Sequence, residues 1–156
     1  MSSPINLSWR IQYWMWHGDD SFAALQRFLL EYRDVVDEVA FFDSMTHHLY
    51  LPLEELGRRA ETLRGRMRAL KAAGIPRAGI NVLATIGHTD EGWDVWEPLP
   101  FPPMVGHDGR PSVSYACANS PELHAYARAK YRLLAEADPD FIWVDDDIRM
   151  HQHGAM

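Results

Sequence analysis

Aspartate side chains that could carry acid–base chemistry lie just beyond the last predicted strand. Asp145, Asp146 and Asp147 directly follow the apolar segment 141–144. When two carboxyl groups lie close together, the pKa of one rises, so that one can act as a general acid while the other stays ionised. Strand alternation directs Asp145 and Asp147 to one face and Asp146 to the other. We therefore predict Asp145 and Asp147 as catalytic residues and Asp146 as a substrate-binding residue. The alternative is that Asp145 pairs with a polar side chain of a neighbouring strand, or with Arg149, and only fixes the sheet.

Histidine and aspartate side chains also follow the three earlier predicted strands. His17, Asp43 and His88 are predicted to bind substrate, because the carboxyl ends of parallel strands meet at one edge of a sheet. Trp93 and Trp96 follow in a long loop, where their rings could stack on a sugar or pack in a satellite hydrophobic cluster. The same predicted rim includes Asp19, Asp20, Ser44, His47, His48, Thr89 and Asp90, and Phe101 and Tyr115 lie in the same loop region.

Metal binding is a second possible chemistry. Asp145, Asp147, His151 and His153 are suitable ligand types, but their spacing matches no established motif. The single cysteine, Cys117, excludes an internal disulfide framework and a multi-cysteine zinc site, and no base is placed beside it. The favoured prediction therefore includes no metal and no cofactor.

Alternating strands and helices must position these residues. Apolar or aromatic runs predict four strands, and residues spaced three and four apart predict three helices between them. Asp20 or Ser21 is the predicted cap of the first helix, Pro52 precedes the second, which Gly74 ends, and Ser120 caps the third. The strands are predicted at 10–16, 38–44, 79–86 and 141–144, and the helices at 21–36, 53–73 and 121–137.

This alternation predicts an α/β fold with a parallel sheet. We expect residues 1–156 to form a single domain, the (βα)3β4 half of a TIM barrel, with a long loop at about 89–120. An open parallel sheet would expose two edges and leave the barrel-interior side chains uncovered. The expected partner is therefore a second copy that closes eight strands, or a missing carboxyl-terminal half.

Composition narrows the classes of function. The formal net charge of −7 argues against a nucleic-acid groove, which needs a basic surface. The sequence has no signal-peptide pattern and no apolar run of the roughly 20 residues that a membrane helix needs. We expect a cytoplasmic protein that binds neither nucleic acid nor membrane.

Segments 79–88 and 138–151 resemble the amino-terminal half of bacterial β-galactosidase-like, glycoside-hydrolase-type TIM barrels. The resemblance extends from the first predicted strand to the fourth. In related retaining enzymes the general acid/base is a glutamate at the end of strand four, typically after an asparagine, and the nucleophile is a glutamate at the end of strand seven. Here the strand-four position falls within Asp145–Asp147, there is no Asn-Glu pair, and strand seven does not occur. What carries over is therefore His88 and Asp145–Asp147, as rim residues of a sugar site.

The sequence thus predicts a carbohydrate-active, glycoside-hydrolase-like half-barrel, whose sugar site lies at the carboxyl ends of the strands. Retaining hydrolysis needs two carboxyl groups roughly 5 Å apart, so an isolated half is not expected to be active. Two alternatives remain open: a non-catalytic half-barrel that acts as an association module, and a metal-dependent sugar isomerase or hydrolase.

Overall fold

The protein has an α/β fold in which strands and helices alternate along the chain. A computed structural model describes residues 6–46, 48–87 and 99–145. These residues form a four-stranded parallel sheet, a two-stranded antiparallel hairpin and four α-helices. In chain order the elements are β1 (Ser8–Ile11), α1 (Tyr13–Trp16), α2 (Asp19–Glu31), a 3-10 turn (Arg33–Val35), β2 (Glu38–Phe42), α3 (Leu53–Ala72), β3 (Arg77–Val82), β4 (Pro103–Val105), β5 (Pro111–Ala116), α4 (Pro121–Glu136) and β6 (Ile142–Val144).

The parallel sheet follows the order of its strands in the sequence. Its order is β1-β2-β3-β6, and every neighbouring pair is parallel. Because crossover connections between parallel strands are right-handed, a sequential order places the connecting helices on the same face of the sheet. The prediction of an α/β fold with a parallel sheet is confirmed.

The main hydrophobic core lies between this face and the helices. Val39 and Phe41 of β2 and Ile80 and Val82 of β3 alternate along their strands and are fully buried. Helix α3 buries one stripe of apolar residues spaced three and four positions apart, as the sequence predicted. The helix residues of this core are Trp16, Phe22, Leu25, Leu29, Leu56, Ala60, Leu63, Met67, Leu70 and Leu134.

The opposite face of the sheet, the open face, consists of Arg10, Ala40, Phe42, Gly79, Asn81 and Trp143. Here the central strands differ from the edge strands. Ala40, Phe42, Gly79 and Asn81 are buried, whereas Arg10 and Trp143 are exposed. A Cβ atom at position 79 would lie 2.5 Å from the Phe141 carbonyl oxygen, so glycine is needed there. The expectation of an uncovered interior face is therefore wrong for the central strands.

The prediction of a first strand at 10–16 is wrong for the second half of this segment. The strand ends at Ile11, and Tyr13–Trp16 forms a helical turn. Trp16 is fully buried, and its indole nitrogen donates a hydrogen bond to the Phe42 carbonyl oxygen at 3.0 Å. This tertiary contact outweighs the preference of aromatic residues for strands, which depends strongly on context.

The predicted long loop contains an unpredicted hairpin, β4–β5. It is attached to the segment that follows β3, because the Ala116 amide donates to the Ile86 carbonyl oxygen at 3.0 Å. Gly87 has a φ of 144° and pairs with Tyr115, where a side chain at position 87 would collide with the hairpin backbone. Part of the predicted loop is therefore a folded element beside the sheet.

The ends of the helices agree in part with the predicted caps. Ser120 caps α4, accepting a hydrogen bond from the Leu123 amide at 3.2 Å, as predicted. Helix α2 begins at Asp19 with Gly18 as its N-cap, so the predicted cap at Asp20 or Ser21 is wrong. Among the described helices, none combines the length and the apolar character needed to cross a bilayer.

Candidate functional site

The candidate site lies around Asp145, at the carboxyl end of β6. Its backbone amide donates to the Val82 carbonyl oxygen at 3.0 Å, so the chain continues the parallel ladder as far as this residue. Its carboxylate forms an ion pair with Arg10 of β1 and accepts a hydrogen bond from Asn81 Nδ2 of β3 at 3.2 Å. Residues of three strands therefore meet at one carboxylate.

The Arg10 guanidinium group lies between aromatic rings of two other strands. Its central carbon is 4.7 Å from the ring centroid of Phe42 and 5.8 Å from that of Trp143. Such cation–π contacts hold a guanidinium group in position in addition to its ion pair. Arg10 is thus fixed by β2 and β6 as well as by Asp145.

A cavity of about 310 Å³ opens beside this cluster. Arg10, Asn81, Trp143, Val144 and Asp145 line it. The side chains of Arg10 and Asp145 are 43% and 21% exposed, and Trp143 is 47% exposed, so each can contact a ligand. The cavity offers donors, a carboxylate acceptor and an aromatic surface on the open face.

This set of groups favours a ligand with hydroxyl groups and a nonpolar face. Arg10 and Asp145 neutralise each other, and together with Asn81 they supply donors and acceptors for hydroxyl groups. Asp145 already accepts hydrogen bonds from Arg10 and Asn81, and in this arrangement its carboxylate serves as an acceptor.

Sequence reasoning missed Arg10 and Asn81 as site residues. It did include the alternative that Asp145 pairs with a polar side chain of a neighbouring strand, and Asn81 is such a partner. The available signal was a charged residue and an amide within two otherwise apolar strands. The pairing with Arg10 joins residues 135 positions apart in the sequence.

Asp43 lies in a different environment, although it also follows a strand. It is 1% exposed, and its Oδ2 atom is 3.1 Å from Lys130 Nζ of α4. Asp43 Oδ1 accepts a hydrogen bond from the Leu83 amide at 3.0 Å, and Lys130 Nζ donates to the Ala84 carbonyl oxygen at 2.9 Å. The pair joins the ends of β2 and β3 to α4, where it is closed to a ligand.

His17 also lies apart from Asp145. It follows α1 and lines a separate cavity of about 230 Å³ together with Trp16, Glu55, Arg58, Arg59 and Thr62. Hydrogen bonds from Arg59 and Arg58 lower the pKa of Glu55. The carboxylate of Glu55 in this cavity is therefore already paired with both arginines. Asp19 forms an ion pair with Arg66, with 2.6 Å between Asp19 Oδ1 and Arg66 Nη2.

Five of the predicted site residues lie outside the described residues. They are His88, Trp93, Trp96, Asp146 and Asp147, and their roles stay predictions. The same holds for His47, Thr89, Asp90, His151 and His153.

The remaining candidates have other surroundings. In the described part of the chain, no group of three or more histidine, cysteine, aspartate or glutamate residues could hold a metal ion. Cys117 is half-buried. The ring centroid of Phe101 lies 5.8 Å from that of Tyr50 and 5.2 Å from that of Tyr126, in a second hydrophobic cluster. Tyr115 is buried.

Comparisons with protein-family models, with curated proteins and with solved structures gave no match. The class of the protein therefore rests on its fold and its site. It is an α/β protein with a sequentially ordered parallel sheet and a polar, aromatic-walled cavity at the carboxyl end of β6.

Proposed function

We propose that this chain is a carbohydrate-active, glycoside-hydrolase-like protein that binds a sugar in the cavity beside Asp145. The observation that carries the proposal is the convergence of Arg10, Asn81 and Asp145 beside the exposed ring of Trp143. Sugars present hydroxyl groups at their edges and C–H groups on their faces. A site that binds them combines hydrogen-bonding side chains with an aromatic surface.

The proposed architecture is half of a TIM barrel. Sequential parallel strands with helices on one face are the arrangement that barrels use. In a sheet of this order, β1 and β6 are three strand spacings apart, roughly 14 Å in a flat sheet. Arg10 nevertheless reaches Asp145, which supports a sheet that curls toward its open face.

Within this site the residues have distinct roles. Asp145 accepts a hydrogen bond from a sugar hydroxyl group, Arg10 and Asn81 donate to neighbouring hydroxyl groups, and Trp143 stacks on the ring. The only carboxylate lining the described cavity is Asp145. Because retaining hydrolysis needs a second carboxyl group roughly 5 Å away, the function proposed for one chain by itself is sugar binding.

Calorimetric titration with methyl β-galactoside, methyl β-glucoside and methyl β-xyloside tests this proposal. At least one glycoside should bind, with a change in tryptophan fluorescence. Trp143→Ala should weaken that binding about tenfold or more, equivalent to at least about 1.4 kcal/mol, because the stacking surface is lost.

The matched control is Trp14→Ala, which removes another exposed tryptophan, 59% exposed on α1, that does not line the cavity. This variant should bind the glycoside as the unmodified protein does. The proposal is wrong if no glycoside binds at the limit of its solubility, or if the two tryptophan variants lose affinity equally.

A further inference from the structure

We infer that Phe42 is a positioning residue of the sugar site, which sets the affinity for a glycoside through Arg10 without touching the ligand. The inference rests on the proposed function, because it concerns the same site. Phe42 is 8% exposed and does not line the cavity. Arg10 does line it, and in the proposed function Arg10 donates to a sugar hydroxyl group.

The strand register places the Phe42 ring under the path of the Arg10 side chain. Arg10 is in register with Ala40, and Phe42 follows two residues later in β2, on the same face of the sheet. Arg10 pairs with Asp145 at the end of β6, and β2 and β3 lie between β1 and β6. The guanidinium group therefore reaches Asp145 by passing over β2, where its central carbon lies 4.7 Å from the Phe42 ring centroid.

The ion pair with Asp145 is a weak restraint on Arg10. The Arg10 side chain is 43% exposed, and an ion pair that water reaches gains little, because it immobilises long side chains and is screened. The attraction between a cation and an aromatic face grows as water is excluded from the contact. Because the Phe42 ring is buried, its contact with Arg10 is the restraint that water weakens least.

Phe42 is better suited to this role than Trp143, the other ring beside Arg10. Trp143 is 47% exposed, its ring centroid is farther from the guanidinium carbon at 5.8 Å, and its proposed role is to stack on the sugar. Phe42 has firmer support. Its carbonyl oxygen accepts the hydrogen bond from the indole nitrogen of the fully buried Trp16, and β2 is paired with a strand on each side.

The consequence is that the electrons of the Phe42 ring, and not only its size, determine how well the site binds. Cation–π attraction depends on the negative potential of the ring face. Fluorine atoms on the ring edge reduce that potential and hardly change the shape of the ring. If Phe42 only filled space, glycoside affinity would not depend on the number of fluorine atoms.

Replacing Phe42 by phenylalanines that carry one, two and three ring fluorine atoms tests the inference on the full chain. The three methyl glycosides named above are the ligands for calorimetric titration. Affinity should fall with each added fluorine, by about threefold or more in total. Phe42→Leu, which has no ring, should bind no more tightly than the variant with three fluorine atoms. Equal affinity throughout the series overturns the inference.

The matched control is the same series at Phe22, on which another arginine stacks. The central carbon of the Arg66 guanidinium group lies 4.4 Å from the Phe22 ring centroid. Phe22 belongs to the core on the helix side of the sheet, and neither residue lines the cavity. Fluorination of Phe22 should leave glycoside affinity unchanged. The inference is overturned if the two series weaken glycoside binding equally.

NMR of the arginine side chains measures the restraint on Arg10 in the absence of a ligand. Rotation about the bond between Nε and the central carbon of Arg10 should become faster with each fluorine at position 42. The series at position 22 should accelerate this rotation in Arg66 and not in Arg10. Rotation of Arg10 that stays constant through the series at position 42 overturns the inference.

The two measurements separate this inference from the proposed function. If Arg10 rotation responds to the Phe42 ring but no methyl glycoside binds the unmodified protein, the positioning of Arg10 is supported and the sugar site is contradicted. If a glycoside binds through Trp143 and its affinity does not change with fluorination of Phe42, the sugar site is supported and the role of Phe42 is contradicted.

Discussion

Asp43 and Asp145 occupy similar positions in the sequence but opposite sides of the sheet. Each follows a short apolar strand, and each forms an ion pair with a cation distant in the sequence. Asp43 is buried with Lys130 beneath α4, whereas the Asp145 side chain is 21% exposed at a cavity with Arg10. The same local pattern therefore produces a structural ion pair at one strand end and a candidate binding group at another.

Burial determines which role each carboxylate can have. Removing one partner of a buried ion pair leaves an uncompensated charge, which is far more costly than losing a pair that water can reach. Burial also excludes a ligand from Asp43. A strand-end aspartate is thus informative about function only when its surroundings are known.

The largest expected effect is that of Lys130→Met. This variant leaves Asp43 buried without its cation, and the free energy of unfolding should fall by about 3–5 kcal/mol. Urea unfolding at neutral pH measures the loss. The control is Lys71→Met, which breaks the partly exposed ion pair with Asp140 (2.8 Å) and should lose about 1 kcal/mol or less. If both variants lose the same unfolding free energy, the buried ion pair contributes no more to stability than the accessible one.

A smaller effect is expected at Tyr126, which lies on the buried side near Asp43. Its hydroxyl group accepts a hydrogen bond from the Leu51 amide and donates one to the Leu51 carbonyl oxygen, both at 2.9 Å. Tyr126→Phe leaves both groups without this partner and should destabilise the fold by about 1–2 kcal/mol in urea unfolding. A change near zero would show that water replaces the hydroxyl group. Water would then reach this region more readily than the burial of Asp43 indicates.

The pH dependence of the same variant sharpens the test. Burial, opposed by the Leu51 hydrogen bond and aided by the charge of Asp43, raises the pKa of Tyr126 from 10.0 to about 12. The folded protein therefore retains a proton that the unfolded chain loses, and this contribution to stability is complete below pH 10 and is lost as the pH rises toward 12. The difference in unfolding free energy between the unmodified protein and Tyr126→Phe should narrow over that interval. A constant difference would contradict the raised pKa.

The smallest effect on stability is expected at the accessible carboxylate. Asp145→Asn keeps a hydrogen-bond acceptor for Arg10 and should change the free energy of unfolding by about 1 kcal/mol or less. Glycoside affinity should fall, because the charged acceptor for a sugar hydroxyl group is lost. Urea unfolding and calorimetric titration, both at a fixed protein concentration, measure the two effects. A stability loss as large as that of Lys130→Met would make Asp145 a structural residue like Asp43.

Much of the fold could be predicted because it depends on local patterns. The apolar stripe of α3, the Ser120 cap of α4 and the apolar runs of β2 and β3 each reflect interactions within a few residues. Helical periodicity and capping act at that range, so they are legible in the sequence. The alternation of these elements was sufficient to predict a parallel sheet.

Two features were not predictable from local patterns. Tyr13–Trp16 looks like a strand by composition, but the burial of Trp16 against β2 makes it helical. The β4–β5 hairpin folds where the pattern indicated only a loop, because it is attached to the segment after β3. In each case a tertiary contact overrides a weak local preference.

By itself, then, the sequence determined the order and type of the main elements and marked the strand ends as places for polar chemistry. Only the tertiary structure decided which polar residue meets which. Lys130 reaches Asp43, and Arg10 reaches Asp145 across 135 positions of sequence. Partner choice depends on the order of the strands in the sheet and on burial, and both emerge only when distant segments pack together.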